Sequence, residues 1–229
     1  MTYFKNRRHA GQLLAQKLAS LQLIKDQAGI SVLGLPRGGV PVAYEVADKL
    51  GMPLDIFTVR KLGAPGHEEC AMGAIASGGI KVLNQDVIDS LNITEADIAG
   101  VAARESRELT RREAAYRAGK PKVKVQGRYI ILVDDGLATG ATMRAAIRAL
   151  RQEKPSGIMV AVPVAPAATC TELLAEADDV ICLHTPESFY GVGMWYDDFG
   201  QTSDDEVREL LQLASPKIIE NQALPTAEL

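Results

Sequence analysis

Cysteine is scarce in this chain: the 229 residues hold three, Cys70, Cys170 and Cys182, an odd number with no CxxC spacing. That argues against a disulfide framework or a cysteine zinc site and fits a reducing cytoplasm. Long apolar runs are missing too. Without about 18–20 consecutive apolar residues, no membrane span or signal-peptide core is expected, so the N-terminal MTYFKNRRHAGQLLAQKL should remain on the mature protein. Nor is there an excess of positive charge: Lys and Arg total 25 against 29 Asp and Glu, a net charge of −4. With the signs mixed there is no basic footprint for nucleic acid, and any anion site must be local. Three histidines form no ligand set, and no Gly-Lys-Ser/Thr follows a glycine-rich turn, which excludes a Walker phosphate loop. Aromatics make up only 5% of the chain, yet five of them crowd into the eleven residues 189–199.

What is present is organised around ILVDDGLATGATM, Ile131 to Met143. An apolar run from Ile130 to Val133 reads as a short buried strand that stops at two carboxylates, Asp134 and Asp135. Gly136, Leu137, Ala138, Thr139, Gly140, Ala141 and Thr142 follow. Their small side chains let backbone amides approach a ligand, and the threonines add hydroxyl donors. A helical pattern (Met143, Ile147, Leu150) then sets this turn at a helix N-terminus, where unpaired amides and the dipole favour a phosphate. The carboxylates would repel a bare phosphate, so they need ribose hydroxyls or a magnesium ion as partner. Both are expected to be exposed at the strand end, contributing little to the core.

A second strand-turn-helix unit lies earlier: Ile30 to Leu35, then Pro36, Arg37, Gly38 and Gly39, then a helix from about Val40 to Leu50. Both turns should meet at the carboxyl ends of parallel strands. In chain order the pattern predicts a helix over about 6–27 and a strand over Leu54–Val59. Residues 62–79 read as a mobile lid with polar tip His67, Glu68 and Glu69, and 71–76 and 80–83 as two short strands joined through Gly78 and Gly79. A long helix from Thr94 to about Arg117 should begin with a Thr94–Asp97 cap and carry mixed charges on a solvated face. Strands at 158–162 and 180–183, a helix over 167–177 and a last helix near 203–213 complete the pattern, with a loose tail from Pro216. At this length one domain is the default, residues 1–229, with a core of about 28–185 and a hood of about 186–215 joined by the N-terminal helix.

The run DDGLATGATM resembles the 5-phosphoribosyl 1-pyrophosphate (PRPP) motif of type I phosphoribosyltransferases, above all the adenine-using branch. The resemblance implies that family's α/β fold: a doubly wound, mostly parallel sheet flanked by helices, with a flexible lid and a small hood. It implies a pentosyltransferase that uses PRPP and Mg²⁺, moves the phosphoribosyl group to a purine or pyrimidine and releases pyrophosphate, working as a homodimer. On this pattern Asp134 and Asp135 hold the ribose, residues 136–142 the 5-phosphate, and Arg37, Gly38, Gly39 and Lys61 the pyrophosphate. Tyr190 or Trp195 stacks on the base, and Asp197 is an acid near pyrophosphate that, with Asp135, would hold the metal. Hypoxanthine-type enzymes carry an acid where this chain has Ala138, a departure that adenine-type enzymes share. A PRPP- or nucleotide-binding regulator with little transfer activity is the alternative function, and a hydrolase of phosphoribosyl compounds a weaker third.

Overall fold

The computed structural model describes residues 3–27 and 29–214, so the tail from Pro216 lies outside the described residues. Helix α1 spans Arg7–Ala19 and α2 Gln22–Asp26, with Asn6 capping α1 by accepting from the His9 amide at 2.9 Å. The single helix expected over 6–27 is therefore broken at Ser20 and Leu21, where Leu21 is extended.

Strand β1 (Ile30–Gly34) leads to α3 (Gly39–Leu50) and β2 (Leu54–Ile56). Next come β3 (Val59–Ala64), β4 (His67–Ala76), β5 (Ile80–Leu83), α4 (Gln85–Ser90) and α5 (Glu95–Arg117). The chain closes with β6 (Tyr129–Val133), α6 (Ala141–Gln152), β7 (Gly157–Val164), α7 (Ala167–Leu173), β8 (Asp179–His184) and α8 (Asp204–Leu213). The main sheet runs β2-β1-β6-β7-β8 with every pair parallel. Because β1 and β6 are neighbours, the turns that follow them end side by side.

The apolar run of β6 is buried on both faces, as a central parallel strand must be. Its alternation divides the core: Tyr129, Ile131 and Val133 pack with α1, α3 and α8, whereas Ile130 and Leu132 pack with α6 and α7. The α6 stripe Met143, Ala146, Ile147 and Leu150 follows the helical repeat and is buried.

Two expectations need correction. Leu54–Val59 is not one strand: β2 ends at Ile56, and the chain leaves the main sheet at Phe57 and Thr58 to start a second, antiparallel sheet β3-β4-β5. Residues 62–79, read as a loop-like lid, form the greater part of this sheet. Pro65 and Gly66 are the two central residues of a tight hairpin turn joining Ala64 to His67, and Gly66 adopts φ 74°, so the residues taken as breakers make the turn. The second sheet has its own core with α5, including Leu62, Met72, Ile75 and Leu109. Helix α5 begins with the expected capping box between Thr94 and Asp97. Its far end is tied to β2 through Arg117, whose Nε donates to the buried Asp55 carboxylate at 2.9 Å.

Candidate active site

The main strand ends at Val133 and α6 starts at Ala141, so Asp134–Gly140 form the connecting turn. Gly140 is the N-cap with φ 69°, a conformation that favours glycine, and no side chain caps the helix. Thr139 Oγ1 reaches only the Ala141 amide, at 3.4 Å. The first turn of α6 thus presents donors for an anion, beside the exposed side chains of Thr139 and Thr142. The turn is braced from outside: Thr169 donates to the Ala138 carbonyl at 2.9 Å and Arg144 to the Thr139 carbonyl at 2.7 Å.

The turn after β1 packs directly onto the two carboxylates. A Cβ on Gly38 would collide with Asp135 Oδ2, and one on Gly39 would lie 2.7 Å from the Val133 carbonyl oxygen and 2.9 Å from Asp134 Cα. Only glycine permits this approach. Gly39→Ala must move backbone, so a loss of about 1–3 kcal/mol is expected, visible as a lower urea midpoint. An unchanged midpoint would mean the two turns are not in contact. The peptide between Pro36 and Arg37 is cis.

Asp135 is not free at the surface as expected. Its Oδ2 accepts from Arg7 Nε at 2.7 Å, with each side chain only 13% exposed. Arg7 also donates to the Gly200 carbonyl at 2.6 Å and lies 3.9 Å from the centre of the Phe199 ring. Tyr196 donates its hydroxyl to the Asp135 backbone carbonyl at 2.6 Å. The N-terminal segment and the aromatic stretch are joined by backbone as well, for the Phe4 amide donates to the Trp195 carbonyl and the Asp197 amide to the Phe4 carbonyl. Phe4 and Tyr196 are buried, and Trp195 lies edge-on to His184, which stacks on Tyr3. Tyr190 differs: it is 89% exposed.

Burial, and after it the charge of Asp135, pushes the Asp134 carboxyl well above the usual carboxylate range. Burial also raises Asp135, against the opposing pull of Arg7. Among the described residues Asp134 Oδ1 accepts only its neighbour's amide, at 2.9 Å, so this half of the pair has unmet demand for a hydroxyl or a cation.

The remaining predicted residues are spread apart. Arg37 reaches Asp204 at 3.5 Å and lines a cleft between its own turn and α5. Lys61 pairs with Glu69 at 3.6 Å and lines a different cavity of about 290 Å³, together with Ala141 and Thr142 at the start of α6. Asp197 is exposed in the aromatic stretch between β8 and α8. No group of three or more His, Cys, Asp or Glu side chains forms a metal cage among the described residues.

The sequence matches the phosphoribosyl transferase domain family over residues 5–197. The chain belongs to the phosphoribosyl transferase family. Proteins from two strains of Mycobacterium tuberculosis, provisionally named phosphoribosyl transferases, are 43% identical to it over 227 residues. That alignment covers 99% of this chain and 50% of theirs, so the chain spans about half the length of the curated relatives it matches. The crystal structure of TT1426 from Thermus thermophilus superposes with a TM-score of 0.80 at 44% identity, covering 92% of this chain and 98% of that one. No helix among the described residues is long and apolar enough to cross a membrane.

In this member of the family, residue-pattern reasoning missed Arg7, Tyr196 and Arg144. Arg7 sits in a plain basic run, and its partner is 128 positions away, so no local signal marks it. The raised Asp134 has a consequence for stability. A carboxyl raised in the folded state contributes stability that is whole below its unfolded pKa, about 3.9, and is lost as pH climbs through the folded value. Asp134→Asn removes that loss, so its melting temperature relative to the native protein should rise as pH climbs above about 4, the unfolded carboxylate value. A pH-independent difference in paired melting curves would show that Asp134 does not carry this burden.

Proposed function

We propose that this chain transfers the 5-phosphoribosyl group from PRPP to a nitrogenous base, a purine or pyrimidine, and releases pyrophosphate. The observation that carries the reading is the meeting of two glycine-rich turns, with Gly38 and Gly39 seated on Asp134 and Asp135 beside the uncapped N-terminus of α6. In this reading the amides and hydroxyls of residues 136–142 hold the 5-phosphate. Asp134 accepts from the ribose hydroxyls, and Asp135 is held in place by Arg7. Arg37, Gly38, Gly39 and Lys61 receive the pyrophosphate. Displacement at C1 builds positive charge on the ribose and negative charge on the leaving group, as in other oxocarbenium-like chemistry. Loop amides beside the leaving group, Arg37 and Lys61 turning in from Asp204 and Glu69 when PRPP binds, and carboxylates below the ribose would match that distribution.

Magnesium fits the donor set. It usually keeps water and takes one or two carboxylates with substrate phosphates, so the Asp134–Asp135 pair, with Asp134 short of partners, would suffice without a protein cage. Asp135, with Asp197 from the hood, would hold it, and bound Mg²⁺ supplies charge to the leaving pyrophosphate. The protein is taken to work as a cytoplasmic homodimer.

Tyr190 is the better base platform, because its ring is exposed whereas Trp195 is packed on His184. Tyr190→Ala should raise KM for the base by about 5- to 10-fold and leave KM for PRPP near its native value, the loss expected for one stacking contact. Equal damage to both constants would remove Tyr190 from the base site. The whole reading is tested by pyrophosphate release from PRPP with and without a panel of purines and pyrimidines. Release that depends on one base supports transfer; PRPP binding without turnover for any base points to a regulator, and base-independent release to a hydrolase.

A further inference from the structure

On the far side of the 36–39 turn from the carboxylates lies a cleft of about 220 Å³. Four guanidinium groups line it: Arg37 from the turn, Arg60 from β3, and Arg111 and Arg112 from α5. Among the described residues Asp204 is its one acidic lining residue. Each arginine is held in place by a carboxylate. Arg37 meets Asp204 at 3.5 Å, Arg60 meets Glu105 at 2.7 Å, and Arg111 and Arg112 share Glu108 at 2.8 and 2.7 Å. Glu105 and Glu108 do not line the cleft. Thr58 does, and although only 6% of it is exposed, its hydroxyl has no hydrogen-bond partner among the described residues. Its backbone is already committed, the amide to Ser77 Oγ and the carbonyl to the Ser77 amide, so the buried hydroxyl is the one polar group of Thr58 left without a partner among the described residues.

We propose that this cleft is a second anion site, separate from the PRPP site, that takes a compact oligophosphate. The chemistry argues for phosphate: planar guanidinium forks from three elements match its oxygens. The size argues for the phosphates alone, since 220 Å³ is below the roughly 300–1,000 Å³ that drug-sized ligands fill. Loop geometry makes the site separate. Gly38 and Gly39 face the carboxylates while Arg37 leans the other way, so one short turn forms a wall of both sites. An oligophosphate in the cleft keeps Arg37 on that side and away from pyrophosphate, which makes it an antagonist of PRPP binding; this coupling rests on the phosphoribosyl-transfer reading, whereas the site itself does not. Reciprocity follows, so PRPP must weaken the oligophosphate by the same factor.

The test is calorimetric titration of the full chain with tripolyphosphate, without magnesium, and separately with Mg-PRPP. The native protein should bind tripolyphosphate, and Arg111→Ala with Arg112→Ala should weaken it at least tenfold while Mg-PRPP affinity stays within twofold. Saturating tripolyphosphate should raise the apparent Kd for PRPP in the native protein and not in that variant. Arg148→Ala with Arg151→Ala removes equal charge from α6 and should leave tripolyphosphate binding intact. Unchanged binding in the α5 variant, or equal weakening in the α6 variant, would overturn the site. A parallel loss of Mg-PRPP in the α5 variant would make the cleft the seat of the leaving group and overturn its separateness. A native protein that binds tripolyphosphate and not PRPP would defeat the proposed transfer reaction and leave this site standing.

Discussion

Arg7→Leu should cost about 3–5 kcal/mol of stability, the usual result of leaving one member of a buried ion pair without its partner. Arg7 and Asp135 are each 13% exposed and 2.7 Å apart, and Arg7 also serves the Gly200 carbonyl and the Phe199 ring. Leucine restores some packing on Phe199, but nothing replaces the cation beside Asp135, whose carboxyl burial already disfavours as an anion. For a chain of this size the melting temperature should fall by roughly 6–20 °C. Arg7→Lys should lie between, because the charge survives and the forked donor does not. The loss should shrink at low pH, where Asp135 is protonated and needs no cation. A native melting curve for Arg7→Leu at neutral pH would show that the pair is ornamental.

Asp134→Asn is expected to reduce kcat/KM for PRPP by roughly 10- to 100-fold, from about 1.5–3 kcal/mol for a charged hydrogen bond to the ribose. Asparagine keeps the acceptor for the Asp135 amide, so the turn should hold its shape. It cannot carry the charge or take both hydroxyls of a diol. The single substitution is cleaner than changing both carboxylates, since Asp135 also anchors Arg7 and its removal mixes binding with stability. Wild-type kinetics in a folded Asp134→Asn protein would take Asp134 out of the ribose site.

The parts of this architecture that were legible in the sequence are those written locally. The run into Asp134, the glycines after it and the α6 stripe lie within about twenty consecutive residues, so periodicity and turn chemistry reveal strand, cradle and helix together. The earlier PRGG turn was readable for the same reason, and β1 pairs with β6 as that symmetry requires. The second sheet was not. Pro65 and Gly66 serve equally in an irregular loop and in a two-residue hairpin, and only the pairing of Val59–Ala64 with His67–Ala76 decides between them. The apolar run Leu54–Val59 conceals a change of sheet, because Phe57 is buried just where the chain turns away. The contacts that set the charge of the site are the least legible. Arg7 with Asp135, Tyr196 with the Asp135 carbonyl and Arg117 with Asp55 join residues 61 to 128 positions apart, and nothing in the local pattern distinguishes them from solvated side chains.

Where PRPP lies decides the proposed reaction most directly, and a crystal structure of the protein with Mg-PRPP measures that. The 5-phosphate should rest on the amides of residues 139–142, the ribose hydroxyls on Asp134, and the pyrophosphate against Arg37, Gly38 and Gly39. PRPP bound with its 5-phosphate away from the start of α6, or an empty cradle at saturating ligand, would contradict it.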